Sequence, residues 1–121
     1  MKERVFDLED RLIAFAVRVI RLVDVLPRSG VGNHIRGQLT RSGTSAAPNY
    51  GEAQSAESPN DFIHKLKIVL KELRETRVWL LMIRRAELIQ SVAVLDSLIA
   101  EANELLAIFM ASIRTTAQRR H

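Results

Sequence analysis

Basic residues are concentrated in one stretch of this sequence, and phosphate binding is the chemistry that their spacing favours. Between Phe62 and Ala86 there are seven lysines and arginines but only two acidic residues. At 100° per residue, four of the seven fall in one stripe of a helix, with His64 beside it. These four are Lys67, Lys71, Arg74 and Arg85. A stripe of this kind attracts polyanions, although a solvated helix face without a partner has the same pattern.

The C-terminal residues extend this positive charge. Arg114, Arg119 and Arg120 follow one another without an intervening acid. No exposed aromatic residues are expected among the basic ones, so base stacking is not indicated, and contacts with the phosphate backbone would give little sequence preference. We therefore predict nucleic-acid contacts at six positions: Lys67, Lys71, Arg74, Arg85, Arg119 and Arg120.

Catalytic and metal-binding patterns are missing from the sequence. Inward-facing Glu-x-x-His pairs, which build di-iron sites in helical bundles, do not occur. The His-Glu-x-x-His, phosphate-loop and nucleophile-elbow motifs are also absent. His34, His64 and His121 are isolated from one another, and there is no cysteine. We predict no enzymatic activity, no metal and no cofactor.

Length and composition indicate one helical domain. The chain has 121 residues, of which 47% are hydrophobic, and it carries a formal charge of +4. A core of this size needs no disulfide, and the lack of cysteine suits the cytoplasm, where we expect the protein. Acidic residues interrupt the N-terminal apolar stretch, and no apolar run approaches the roughly 20 residues of a membrane span. We expect no signal peptide and no membrane partner.

Three long segments repeat apolar residues at intervals of three and four, whereas all glycines and prolines lie between residues 27 and 59. This pattern predicts an all-α, antiparallel, up-down-up-down four-helix bundle. The predicted helices cover residues 5–26, 32–55, 59–84 and 92–114, with a basic tail at 115–121. Pro48 should kink the second helix, because it removes a backbone donor, and two shorter helices meeting near Pro48 are the alternative.

Two of the helices have a heptad seam for packing inside the bundle. The third has Phe62, Leu66, Val69, Leu73, Thr76, Leu80 and Ile83, and the fourth has Leu95, Ile99, Ala102, Leu106, Phe109 and Ile113. The first helix is different, since 15 of its 22 positions are apolar. An outer bundle helix needs an apolar face of only about three positions in seven. The surplus predicts a second buried face, and therefore a subunit interface.

Residues 38–53, QLTRSGTSAAPNYGEA, resemble the proteins encoded by intervening sequences in bacterial 23S rRNA genes. In that family the second helix begins with Gln-Leu-x-Arg and continues with small residues, a Ser, a Pro, an Asn and a Glu. The matching positions are Arg41, Ser45, Pro48, Asn49 and Glu52. The resemblance implies a helical subunit that assembles into a basic, pentameric ring without established enzymatic activity. More distantly, it implies similarity to accessory proteins of diversity-generating retroelements.

Arg41 and Glu52 stand eleven residues apart, so they would share a face of one continuous helix. We interpret them, with Asn49, as polar groups that pair between helices or subunits, in preference to a ligand site. For the whole protein the leading hypothesis is a non-catalytic ring that holds RNA or DNA. The alternative is a structural adaptor for another protein, such as a reverse transcriptase or a ribosome-associated protein.

Overall fold

A computed structural model describes the backbone of residues 2–119 and the side chains of residues 8–119. Within that range the chain is helical and contains no strand. The helices are α1 (Lys2–Val23), α2 (Gly30–Gly43), α3 (Ala46–Gln54), α4 (Pro59–Arg85) and α5 (Val92–Arg119). Helices α2 and α3 follow each other along the same side of the molecule and together form one arm. The prediction of a four-helix bundle is confirmed.

The arms are arranged in a square in which neighbours in sequence are neighbours in space. Helix α1 packs on α2, α3 and α5, and α4 packs on α2, α3 and α5, so α1 and α4 lie diagonally opposite each other. Arg11 contacts Glu101, whereas Arg18 contacts the earlier Ser97. Helices α1 and α5 therefore run in opposite directions, as the up-down-up-down prediction requires.

Two predicted C-terminal helix ends differ from the structure by three residues or more, and α1 and α2 begin two or three residues before the predicted positions. Helix α1 ends at Val23 and not at Leu26, because the chain turns there and Arg36 covers the exposed helix end. Its guanidinium donates to the carbonyl oxygens of Val23 at 3.0 Å and Leu26 at 2.7 Å. At the other end of the chain, the predicted tail is helical up to Arg119. The start of α4 is as predicted, with Ser58 Oγ accepting from the backbone N–H of Asp61 at 3.0 Å.

The second arm is divided into two helices rather than continuous over 32–55. The interruption lies at Thr44 and Ser45, one turn before Pro48. Pro48 cannot donate to the carbonyl four residues earlier, so the regular helix ends where that bond would be needed. At this break, the hydroxyl group of Thr44 donates to the carbonyl oxygen of Thr40 at 2.6 Å. The alternative of two shorter helices thus matches the structure, and a kink at Pro48 itself stays a prediction.

The core follows the predicted seam of α4 closely. From Leu66 to Ile83, every predicted seam residue is buried, and only Phe62 at the end of the bundle is half-buried. Thr76, the one polar member, donates to Ser42 Oγ at 3.0 Å and so is satisfied inside the core. The seam predicted for α5 is partly wrong. Leu98 and Leu105 are fully buried, whereas Ile99, Leu106 and Ile113 lie at its edge.

Close approach between helices explains two of the glycines. A Cβ on Gly43 would lie 2.7 Å from Val19 Cγ1, so the small residues of α2 do admit α1, as their pattern indicates. A Cβ on Gly32 would lie only 1.9 Å from the carbonyl oxygen of Pro27. That oxygen is backbone, which cannot rotate away as a side chain can. The turn between α1 and α2 therefore requires glycine at position 32.

We expect Gly32→Ala to lower the free energy of unfolding by about 3 kcal/mol, because the methyl group must displace the turn. Gly37→Ala is the matched control on the same helix, where a Cβ meets nothing within 4 Å. It should raise the stability by about 0.5 to 1 kcal/mol through helix propensity. Urea unfolding followed by circular dichroism measures both, and equal effects of the two substitutions would contradict the packing described.

Candidate nucleic-acid interface

Three basic side chains form a continuous exposed stripe on α4. Lys67, Lys71 and Arg74 are all exposed, at helix positions four and three residues apart. The residues that alternate with them, such as Leu70 and Leu73, are buried. None of the three has an ion-pair partner among the described residues. We refer to Lys67, Lys71 and Arg74 as the cationic stripe.

The acids near the stripe are occupied elsewhere. On α4, Glu72 and Glu75 both contact Arg41 from α2. Asp61 pairs with Lys65 at 3.3 Å. The pKa of Asp61 is lowered mainly by a hydrogen bond from the backbone N–H of Glu57, and secondly by this contact with Lys65.

The acids of α5 are also paired with residues outside the stripe. Arg11 of α1 contacts Glu101 at 2.7 Å and Glu104 at 3.1 Å, and the hydrogen bond to Glu101 raises the pKa of Arg11. Asp96 pairs with Arg84 at 3.0 Å. No carboxylate of α4 or α5 therefore pairs with the cationic stripe among the described residues.

Helix α5 completes this surface with a groove beside the stripe. Antiparallel packing places the end of α5 next to the first half of α4, so that Arg114 faces Lys67 and Arg74 across a cavity of about 420 Å³. The cavity is lined by Lys67, Leu70, Arg74, Met110, Ile113 and Arg114. This groove was not predicted from the sequence, in which Arg114 appears only as part of a basic terminus. The predicted antiparallel arrangement of the last two helices was the sequence signal that could have indicated this groove.

The remaining predicted contacts lie apart from the groove. Arg85 is exposed, but it follows Arg74 by eleven residues, or about 16 Å along the helix. Val78 and Met82 occupy the exposed positions between them, at 44% and 45% exposure, so the stripe does not continue to Arg85. Arg119 lines a different cavity of about 380 Å³ at the end of the bundle, and Arg120 lies outside the described residues.

Arg41 belongs to the bundle's structure rather than to an open site. Its guanidinium bridges α2 to both glutamates of α4, of which Glu75 also accepts from Trp79 Nε1 at 3.3 Å. The Trp79 ring in turn meets His34 edge-on, with 5.8 Å between ring centroids. Among the described residues, Arg41 therefore pairs α2 with α4 through Glu72 and Glu75.

A family model for the 23S rRNA-intervening sequence protein matches residues 6–111, which include all five helices in whole or in part. The chain belongs to this family. A crystal structure at 1.70 Å of a protein with unknown function, from the S23 ribosomal protein family of Bacteroides thetaiotaomicron, is 35% identical in sequence. Its match has a TM-score of 0.79 and covers 88% of this chain and 97% of that chain. No curated protein matches.

The other motif positions of this chain lie around the break between α2 and α3. Ser45 Oγ donates to the carbonyl oxygen of Arg41, and Asn49 Nδ2 donates to the carbonyl oxygen of Ser45 at 2.8 Å. Pro48 and Glu52 are exposed. Glu52 has no partner among the described residues, so its interpretation as a group that pairs between helices or subunits stays a prediction. The break interrupts the helix on which Arg41 and Glu52 were expected to share a face.

The described part of this family member contains no other obvious site. It has no cluster of His, Asp or Glu residues able to hold a metal ion. None of its helices is long and apolar enough to cross a membrane. The likeness to accessory proteins of diversity-generating retroelements stays a prediction. The cationic stripe and its groove are therefore the candidate functional surface of the described residues.

Proposed function

We propose that this protein is a non-catalytic, ring-forming bundle that binds the backbone of RNA or DNA with little sequence preference. The observation that carries the proposal is the cationic stripe, which is exposed and has no acidic partner, whereas most acids of α4 and α5 are paired elsewhere. A positive surface retained in this way attracts a polyanion, and each neutralised phosphate releases counterions.

The length of the stripe suits a phosphate backbone. Lys67 and Arg74 are two helical turns apart, about 10 Å along the axis, and Lys71 lies between them. Arg114 adds a fourth cation on the opposite side of the groove. Contacts between these cations and phosphates do not read the bases, so they support affinity but not sequence choice.

Ring formation is supported by the outward face of α1. Ile13, Val17 and Ile20 share one side of that helix and are 46%, 37% and 46% exposed, respectively. Three large, exposed apolar residues on one face of a charged helix are typical of a subunit contact. A ring of five such chains would carry a charge of about +20 and present five copies of the stripe, which would strengthen binding to long strands.

Footprinting of lysines by acetylation and mass spectrometry tests the proposal. The chain has four lysines, of which three lie on α4: Lys65, Lys67 and Lys71. With a bound RNA or DNA strand, we expect Lys67 and Lys71 to react at least about tenfold more slowly, because their ammonium groups contact phosphate. Lys65 is the internal control, since its ammonium group already pairs with Asp61 outside the stripe.

Equal reaction of Lys67 and Lys71 with and without nucleic acid would contradict the proposal. Protection of these two lysines by an acidic protein partner, without any effect of RNA or DNA, would favour the adaptor function instead.

A further inference from the structure

The floor of the groove between α4 and α5 differs in chemistry from its walls. Leu70, Met110 and Ile113 form an apolar floor, and the cationic groups of Lys67, Arg74 and Arg114 surround it. A surface built only for phosphates does not need an apolar floor between its cations. The combination fits a ligand that is flat and apolar in one part and negatively charged in the adjoining parts.

We propose that this groove takes an unpaired base of single-stranded RNA or DNA, with the flanking phosphates on Lys67, Arg74 and Arg114. This inference rests on the proposed function and names its substrate class. In a single strand the bases are free to leave the stack and lie on a protein surface. In a duplex the bases are paired inside, and the protein meets phosphates and groove edges, so the floor would stay uncovered.

The size of the open apolar surface favours a base over a helix of a partner protein. Leu70 is only 7% exposed and Ile113 is half-buried, which leaves Met110, at 41%, as the main accessible apolar side chain. An amphipathic helix buries a row of side chains at positions i, i+3, i+4 and i+7. The floor is too short for such a row, whereas a flat ring lying against Met110 would cover it.

The groove is poorly equipped to choose among bases when its cations are occupied by phosphates. Its floor contains no side-chain amide or hydroxyl that could pair with a base edge, and its cations are placed for phosphates. We therefore expect a preference for single strands over duplexes, combined with tolerance of sequence.

Fluorescence anisotropy with the full-length protein tests this inference. Three labelled probes of about 16 nucleotides are compared: oligothymidylate, an abasic strand with the same phosphates, and a duplex. We expect oligothymidylate to bind about tenfold more tightly than the abasic strand, a difference that only its bases can produce. Met110→Gln should remove most of that difference. Met82→Gln is the matched control, because Met82 is similarly exposed on α4 but lies outside the groove.

Each outcome of this experiment has one meaning. Equal binding of all three probes, unchanged by Met110→Gln, would overturn the inference and leave the proposed function standing. Binding of none of the probes would overturn both. An acidic amphipathic peptide that binds in a manner sensitive to Met110→Gln, when no nucleic acid binds, would also overturn both and favour a protein partner.

Discussion

Reversal of Lys67, Lys71 and Arg74 to glutamate in one variant should abolish the binding of RNA and DNA at about 50 mM salt. Each reversal turns an attraction of about 1 kcal/mol in water into a repulsion of similar size. Three such changes raise the dissociation constant by at least about a thousandfold. The fold should not change, because all three side chains are exposed and have no partner in the described structure.

A control variant separates the stripe from net charge in general. Arg28 is exposed in the turn after α1, outside the groove, and its reversal to glutamate changes the net charge by the same amount as the reversal of Lys71 alone, with which it is compared. We expect the Arg28 variant to keep most of its affinity, apart from a modest loss of long-range attraction. Electrophoretic mobility shifts measure binding, and circular dichroism checks helicity. Equal loss of binding in both variants would mean that the stripe is not the contact site.

Replacement of Ile13 and Ile20 by glutamate should convert the assembled protein to particles of 13.7 kDa. The two side chains are seven residues apart on the outward face of α1, each 46% exposed in the single chain. An unpaired carboxylate buried in a subunit contact costs several kcal/mol, and every contact of the proposed ring would bury the two introduced glutamates. Light scattering gives the mass directly.

The paired replacement of Ile13 and Ile20 by valine is the control, because it keeps the face apolar and should keep the assembly. Wild-type protein that scatters as a 13.7 kDa particle at micromolar concentration would contradict ring formation altogether.

The seam of α4 was predictable because that helix packs on α2, α3 and α5 and has no irregularity. It begins with a serine cap and a proline, and its heptad spacing continues unbroken to Ile83, with Thr76 as the one polar member. The α5 seam was harder to predict because apolar residues stand on both sides of it. Leu98 or Ile99 could each point inward by period alone, and packing against both α1 and α4 selects Leu98.

The division of the second arm shows where local and long-range effects compete. Pro48 indicates a defect, but its position does not decide between a bent helix and two helices. The structure has two helices, and at the break the side chains of Thr44 and Ser45 donate to carbonyl oxygens of the preceding turn, which the sequence pattern alone does not determine. Arg41 and Glu52 therefore lie on different helices, and of the two only Arg41 pairs with α4 among the described residues.

The cationic stripe was predictable because it lies on one helix, where residue spacing determines which side chains are neighbours. The groove was not, because its other wall comes from α5, more than 35 residues later in the chain. Predicting that wall requires the register between α4 and α5, and the register depends on the length of the connecting turn and on which leucines are buried. The separation of Arg85 from the stripe has a simpler cause, namely the exposed Val78 and Met82.

The salt dependence of binding by single variants tests the central claim most directly, because it counts phosphates neutralised by one side chain. For wild-type protein, log Kobs against log salt concentration should fall with a slope of about −0.7 for each phosphate contacted in a single strand and about −0.9 in a duplex. Lys71→Gln should make that slope shallower by about one phosphate, whereas Lys65→Gln, which alters a lysine already paired with Asp61, should leave it unchanged. A Lys71→Gln slope equal to that of wild type would contradict phosphate binding by the stripe.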